Sequence, residues 1–242
     1  MYGESSFLSS FVAEVYASPS GHSMPFRLCS PESKTGENVP LVVHMHGFRG
    51  IGTDNVRHIA GETEKATTRI RSTYVCTHPD NQRRFPCYVI APQAPEPWID
   101  GDTIENPTIG IQLVLELVHA LQERFEIDPD RCYVMGHSMG AHGTWDLITR
   151  VPDLFAAAIP IGGWGNPDWA DRVVGLPIWA FHVNGDPVMK VKYTRNMIAA
   201  IRKAGGNPRY TEYEGTSHGD LLRAYKEPEL LPWLFAQRRT GE

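Results

Sequence analysis

The sequence has no long apolar run and no basic stretch of any length, and each absence excludes a class of function. No apolar segment of the 242 residues approaches the ~18 residues that a membrane-spanning helix needs. The net charge is −5, and the most basic stretch, QRRFP at 82–86, is too short for a nucleic-acid-binding surface. The sequence therefore predicts neither a membrane span nor a nucleic-acid partner.

Cysteine is also scarce, and the four cysteines form no CxxC pair. Cys29, Cys87 and Cys132 lie in or beside apolar, strand-like segments, where a thiol usually serves as a small hydrophobic side chain. We expect buried free thiols; were the cysteines oxidised, the sequence would not decide between the possible pairings. The first residues, MYGESSFLSSFVAEVY, contain no basic leader, so we expect no signal peptide there, although a chain with its leader removed would read the same.

What the sequence does contain is a regular alternation of short apolar segments with helical patterns. The predicted strands are 12–16 and 25–29, as an antiparallel start, followed by 40–46, 87–93, 131–135, 156–163, 177–183 and 209–215. The predicted helices are 109–125, 138–150 and 195–206. This alternation is typical of a mostly parallel sheet with helices on both faces. No repeat or long linker divides the chain, so we expect one domain over residues 1–242.

The segment GHSMGAHG at 136–143 follows the apolar strand RCYVM and opens a predicted helix. Ser138 therefore lies in the strand-to-helix connection, where a nucleophile elbow requires it. Such an elbow strains the serine backbone and leaves no room for a side chain two residues before or after the serine. Gly136 and Gly140 occupy these two positions and have no side chain. A phosphate-binding turn is disfavoured, because no Lys follows and the glycine spacing is not GxGxxG.

A serine hydroxyl needs a base to take its proton and an acid to orient that base. In a fold with a nucleophile elbow, the order along the chain is Ser, acid, His. Of the ten histidines only His218, in GTSHGD, follows the predicted strand PIWAFHV. Asp186, in HVNGDPV, ends that strand at the sheet edge where such sites form. Other acidic residues read as helix caps or lie too near His218: Asp153, Asp168, Asp171 and Asp220.

The reaction also needs two backbone N–H donors for the developing oxyanion. Met139 is one expected donor, since it follows Ser138 at the N-terminus of a helix whose dipole assists. Phe48, or alternatively Gly47, is the other, in the turn after PLVVHMHG. We expect His46 to brace this turn.

His44 and His46 could also suggest a metal site, because the spacing H-x-H places both side chains on one face of a strand. HMHGFRG lacks the Asp and the His that a metallohydrolase of this kind would add close by, and the other histidines have no useful spacing. We therefore expect no metal and no cofactor.

Over nearly its whole length the chain resembles the α/β-hydrolase superfamily. Within it, the chain is similar to the dienelactone-hydrolase and polyhydroxybutyrate-depolymerase-like esterases often labelled predicted peptidases. The resemblance rests on PLVVHMHGFRGIGTDN, YVIAPQAP, GHSMGAHGTWDLITRVPDLFAAAIPIGG and PIWAFHVNGDPVMKV with the following KAGGNPRYTEYEGTSHG. It implies the α/β-hydrolase fold, with Ser138 as nucleophile, Asp186 and His218 as its relay, and Phe48 and Met139 as oxyanion donors.

The chain departs from this family pattern in two places. Phe48 and Arg49 stand where relatives usually have smaller residues, which affects the acyl pocket beside them. Ala141 stands where a second glycine is common, which is a milder change.

These residues predict a serine carboxylesterase whose partner is a small-molecule or carbohydrate-linked ester. Only the thirteen residues WGNPDWADRVVGL separate two predicted strands, so we expect no cap domain and an open cleft that takes short-chain, hydroxycinnamoyl or acetylated-sugar esters. Trp98 and Trp164 are candidates to stack on a substrate ring, with packing as the alternative. A serine peptidase with the same residues and a non-catalytic binding module remain alternative functions.

Overall fold

The computed structural model describes residues 10–31, 38–60, 73–99 and 106–239. Through this part of the chain runs an eight-stranded sheet in the order β1-β2-β4-β3-β5-β6-β7-β8. The strands are β1 (Val12–Ala17), β2 (Ser23–Cys29), β3 (Val39–Met45), β4 (Tyr88–Pro92), β5 (Ile127–His137), β6 (Ala157–Ile161), β7 (Trp179–Val183) and β8 (Arg209–Tyr213). Each predicted strand has its counterpart here.

The sheet is antiparallel at one end and parallel elsewhere. β2 pairs antiparallel with both β1 and β4, and every pair from β4 through β8 is parallel. The predicted antiparallel start is therefore confirmed. Because β3 and β5 are parallel neighbours, with Met45 opposite Gly136, the turns that follow these two strands emerge side by side.

β5 begins earlier than the predicted strand 131–135. Ile127 pairs with Val39, whereas Cys132 pairs with Leu41, so the register shifts between these two positions. The intervening residues include Asp128, Pro129 and Asp130, whose polar side chains and proline hide the strand from an apolar pattern.

Helices cover both faces of the sheet. They are α1 (Arg57–Ala60), α2 (Tyr74–Thr77), α3 (Pro79–Arg84), α4 (Ile109–Arg124), α5 (Met139–Arg150), α6 (Lys192–Lys203) and α7 (Leu230–Ala236). Alternate residues of β3 face opposite cores. Leu41 belongs to the buried cluster that contains Val114 and Leu117 of α4, and Val42 belongs to the cluster that contains Leu230 and Leu234 of α7. The predicted two-layered coverage is confirmed.

Other sequence expectations concern the helix ends, the cysteines and the cap. α6 lies slightly earlier than predicted and is closed by Gly205, at φ 100°, whose N–H donates to the Arg202 carbonyl. All four cysteines are buried thiols, as expected. The connection between β6 and β7 holds only a short 3-10 helix, Pro167–Val173, and no cap domain.

Among the described helices, none has the length and hydrophobicity that crossing a membrane requires.

Candidate active site

Ser138 occupies the sharp turn between β5 and α5. Its φ of 56° and ψ of −125° lie in a region that L-residues rarely adopt. The turn is held from the neighbouring strand, since the Ser138 N–H donates to the Ile161 carbonyl over 2.9 Å. Backbone strain of this kind, kept in place by surrounding structure, is typical of functional positions.

Gly136 and Gly140 allow the backbone to approach itself closely around the turn. A Cβ on Gly136 would lie 2.6 Å from the Gly140 carbonyl oxygen, and a Cβ on Gly140 would lie 2.1 Å from the Met45 carbonyl oxygen. Both neighbours are backbone atoms that cannot rotate away. The predicted need for glycine at both positions is therefore confirmed by packing.

We expect Gly140→Ala to lower the free energy of unfolding by about 3 kcal/mol, because the new methyl group overlaps the end of β3. Gly175→Ala is a matched control, since nothing lies within 4 Å of the Cβ that it adds. Urea unfolding of the three proteins measures the difference. Equal stability of the two variants would contradict this account of the elbow.

The structure brings together the three side chains that the sequence singled out. His218 Nε2 lies 2.8 Å from Ser138 Oγ, and His218 Nδ1 lies 2.7 Å from Asp186 Oδ2. His218 begins the 3-10 helix His218–Lys226, which follows β8, and Asp186 follows β7. In this arrangement Nδ1 donates to the carboxylate and Nε2 is left to accept the serine proton.

Asp186 is anchored by its own loop. Its Oδ1 accepts hydrogen bonds from the N–H groups of Val188, at 2.8 Å, and Met189, at 3.0 Å. The carboxylate is fully buried, whereas the His218 side chain remains 26% exposed. The acid is thus shielded from water and the base can be reached from solvent.

His46 fixes the peptide that carries the Phe48 N–H. Its Nδ1 donates to the Gly47 carbonyl over 2.8 Å, and its Nε2 accepts from the Ala94 N–H over 3.1 Å. The Gly47 carbonyl and the Phe48 N–H belong to one planar peptide unit, so this bond sets the direction of the N–H. The expectation that His46 braces the turn is borne out by these contacts.

The two expected oxyanion donors begin neighbouring helical turns. Phe48 starts the 3-10 helix Phe48–Gly50, and Met139 starts α5. Within the described residues neither N–H makes a hydrogen bond. Both N–H groups begin helical turns after the neighbouring strands β3 and β5, so they stay the candidate donors to an oxyanion.

Trp98 does not line the site, and its suggested role in substrate stacking is wrong. Its side chain is fully buried, and its Nε1 donates to the His46 carbonyl over 2.9 Å. The indole therefore packs inside the fold and supports the turn after β3, as the alternative to substrate stacking had it. Trp164 is half-buried beside Trp169 and lines a small cavity, so its contact with substrate stays a prediction.

Several residues near the relay were missed from the sequence. His137 and His142 flank Ser138, and the Tyr225 hydroxyl lies 3.4 Å from His137 Nδ1. Burial, with a smaller contribution from the nearby His218, lowers the pKa of both His137 and His142 to about 4. Both histidines flank the serine within the motif GHSMGAHG, and this proximity was the available signal. They are held neutral at ordinary pH.

These lowered pKa values predict loss of stability in acid. The unfolded chain takes up protons near pH 6.5 and the folded chain only near pH 4, so stability is complete above this window and falls as the pH drops through it. Each such histidine contributes a slope of about 1.4 kcal/mol per pH unit. We expect His142→Gln to reduce the change in unfolding free energy per pH unit by the contribution of one histidine. Denaturant unfolding at several pH values between 4 and 6.5 measures this change. An unchanged slope would contradict the prediction.

His44 and His46 do not converge on a common point. His44 Nε2 lies 3.4 Å from the Tyr225 hydroxyl, while both nitrogens of His46 are engaged in the turn after β3. In the described ranges, no three His, Cys, Asp or Glu side chains are grouped so that they could hold a metal ion.

Comparison with known proteins places this geometry in a family. Residues 18–213 match the model of the family Esterase, described as "Putative esterase". The chain belongs to this esterase family. The match spans β2 through β8 and therefore contains Ser138 and Asp186 together with most of the sheet.

Individual relatives agree with this family. Cutinase 1 of Thermobifida cellulosilytica is 35% identical over 101 residues, which are 39% of this chain and 36% of the cutinase. The crystal structure of a thermostable esterase is 35% identical, with a TM-score of 0.87, covering 96% of this chain and 64% of that one. The chain thus spans less than two thirds of the length of these relatives.

A more distant structure shares only the fold. The "putative dienelactone hydrolase" of Klebsiella pneumoniae is 15% identical with a TM-score of 0.65, and the match covers 93% of this chain and 98% of that protein. Together with the sheet order, it identifies the fold of this chain as that of the α/β-hydrolases, as the sequence predicted.

Proposed function

We propose that this protein is a serine carboxylesterase that cleaves carboxylic esters through an acyl-enzyme. The observation that carries the proposal is the continuous relay from Ser138 Oγ through His218 to Asp186, with hydrogen bonds of 2.8 and 2.7 Å. Membership of the esterase family supports the same chemistry.

In the proposed reaction, Ser138 Oγ attacks the ester carbonyl carbon while His218 Nε2 takes the hydroxyl proton. The negative charge that develops on the carbonyl oxygen is received by the N–H groups of Phe48 and Met139. The carbon–oxygen bond to the alcohol then breaks, and the alcohol leaves with the proton from His218. Water repeats the sequence, giving the acid and restoring Ser138.

Asp186 stabilises the imidazolium form of His218 during both halves of this reaction. Its carboxylate is buried, so its charge acts on His218 without screening by water. The two N–H donors on Oδ1 leave Oδ2 free to accept from His218 Nδ1. This geometry keeps the proton of the neutral imidazole on Nδ1, as general-base catalysis requires.

A serine peptidase is the second candidate, because the same side chains can cleave amides. The two functions separate on matched substrates that share one acyl group and differ only in an ester or an anilide bond. We expect hydrolysis of the ester alone at a measurable rate. Faster cleavage of the anilide would establish the peptidase, and failure of a fluorophosphonate to label Ser138 would favour a non-catalytic binding protein.

For the substrate class, we propose short-chain, hydroxycinnamoyl or acetylated-sugar esters. Among the described residues, only the short 3-10 helix Pro167–Val173 stands between β6 and β7, where a cap could cover the serine. Phe48 and Val188, 66% and 63% exposed, lie on the loops that carry the oxyanion donor and the acid. They offer an apolar rim to a small acyl group in an open cleft.

A panel of esters tests this substrate class. It combines aliphatic acyl chains of graded length with hydroxycinnamoyl esters and acetylated sugars, compared by kcat/KM. We expect the highest values for short or hydroxycinnamoyl acyl groups and no activation at an oil–water interface. Faster turnover of emulsified long-chain triglyceride than of soluble short esters would refute the open-cleft proposal while leaving the esterase itself intact.

A further inference from the structure

His182, in β7, lies next to the proposed catalytic acid Asp186 and takes no part in the relay. Its side chain is fully buried. Its Nε2 donates to the Met189 carbonyl over 2.9 Å, and its Nδ1 lies 2.7 Å from Thr194 Oγ1 of α6. A buried imidazole with both nitrogens engaged has a single allowed orientation.

Met189 connects His182 to Asp186 through the two peptide groups on either side of its Cα. The Met189 carbonyl accepts from His182, while the Met189 N–H donates to Asp186 Oδ1. His182 Nε2 also lies 4.0 Å from Asp186 Oδ2, the oxygen that accepts from His218. The imidazole therefore fixes the loop that aims the carboxylate and places an N–H dipole beside it.

Thr194 links this arrangement to the elbow. Its Oγ1 approaches both His182 Nδ1 and the Gly163 carbonyl oxygen, the latter at 3.0 Å. Gly163 in turn packs against α5, where a Cβ on it would lie 2.5 Å from Ala141 Cβ. The side chain of His182 thus connects the acid loop, α6 and the end of β6 beside the nucleophile.

The hydrogen-bond count identifies the tautomer of His182. The Met189 carbonyl only accepts, so Nε2 carries a proton. Burial lowers the pKa of His182, although the Met189 carbonyl and Asp186 oppose this, so the ring is neutral and Nδ1 is left as an acceptor. The single hydroxyl hydrogen of Thr194 is donated either to Nδ1 or to the Gly163 carbonyl, and not to both at once. The groups that act electrostatically on the ring are Asp186, His218 and Glu212.

We propose that His182 is a positioning residue, which holds the Met189 turn so that Asp186 stays aimed at His218. The inference rests on the proposed esterase function, and it goes beyond that function by assigning a role to a residue outside the relay. It predicts that the orientation of Asp186, and with it the basicity of His218, depends on a side chain that never touches the substrate.

The test compares His182→Leu with His182→Gln in ester hydrolysis across pH. Loss of the Nε2–H in the Leu variant is expected to lower kcat about 10- to 100-fold with KM nearly unchanged, in the range seen for residues that orient catalytic ligands. With Asp186 less firmly held, the ascending limb of kcat/KM should move to lower pH by about half a unit or more. The Gln variant keeps a donor for the Met189 carbonyl. We therefore expect it to restore most of kcat and to return most of the shift in the ascending limb.

The limb reports on His218, so other groups facing it are kept constant. Besides His182, which the test replaces, these are Asp186, His137 and His142. Gln82→Leu is the matched control, since Gln82 is also buried and its amide donates to the Cys76 carbonyl. It is expected to lose stability without moving the limb. If His182→Leu does not fold, Thr194→Val removes the partner of Nδ1 and should change kcat and the limb in the same direction.

Two failures are distinguishable. A wild-type protein that hydrolyses no ester and resists fluorophosphonate would overturn the proposed function. An active wild type whose His182→Leu variant keeps its kcat and its pH limb, or loses activity only in proportion to its folded fraction, would overturn the positioning role and leave the esterase standing.

Discussion

Ser138→Ala is expected to lower kcat by about 10⁴-fold or more while the fold stays intact. The serine contributes the only nucleophile at the elbow, and its Oγ makes the 2.8 Å contact with His218 Nε2. Removal of the hydroxyl leaves the oxyanion donors and the acid in place, but the acyl-enzyme can no longer form. Alanine is also compatible with the packing, since it only deletes an oxygen atom.

The measurement is kcat on a soluble short-chain ester, accompanied by thermal unfolding of both proteins. Ser217→Ala is a matched control, because Ser217 adjoins His218 and its Oγ accepts from the Gly219 N–H as a helix cap. We expect this control to lose stability and to retain most of its turnover. Near-full activity of Ser138→Ala would remove the central claim.

The positions of the strands along the chain and the placement of the relay were accessible from the sequence because they follow local rules. Apolar segments marked every strand, and glycines at 136 and 140 marked the elbow, since a Cβ there collides with backbone. Asp186 and His218 were selected by chain order and by their positions after β7 and β8. These features depend on residues close together along the chain.

Other features depend on contacts across the fold, and the sequence did not reveal them. Trp98 looked like a loop residue facing the cleft, yet its indole packs on the His46 ring at 4.6 Å between centroids. The start of β5 was hidden by Asp128 and Pro129, whose pairing depends on the register against Val39. His182 had no motif of its own, because its role arises from Thr194 and Met189 around it.

The choice of acid could also have failed, since several aspartates compete in the sequence. The structure separates them by burial. The rivals read as helix caps are exposed: Asp153, Asp168 and Asp171. Asp186 is buried and hydrogen-bonded to His218. The remaining neighbour, Asp220, accepts from the Ser217 N–H and closes a capping box.

Asp186→Asn is expected to lower kcat by about 10³- to 10⁴-fold, somewhat less than the loss of Ser138. Asn can still accept at Oδ1 from the Val188 and Met189 N–H groups, so the loop should keep its shape. Its amide then presents N–H groups to His218 Nδ1, which must become an acceptor. The proton moves to Nε2, and the imidazole can no longer take the proton of Ser138.

The readouts are kcat on the short-chain ester and the unfolding free energy, because a tautomer effect should spare stability. Asp220→Asn is the control, since it alters a carboxylate in the same 3-10 helix as His218 without touching the relay. It should keep nearly all of its turnover. If Asp186→Asn were silent while substitution of Asp153 or Asp168 abolished activity, the acid would be misassigned. A neutral side chain at 186 can hold the loop, but only a carboxylate can both fix the proton on Nδ1 and stabilise the imidazolium.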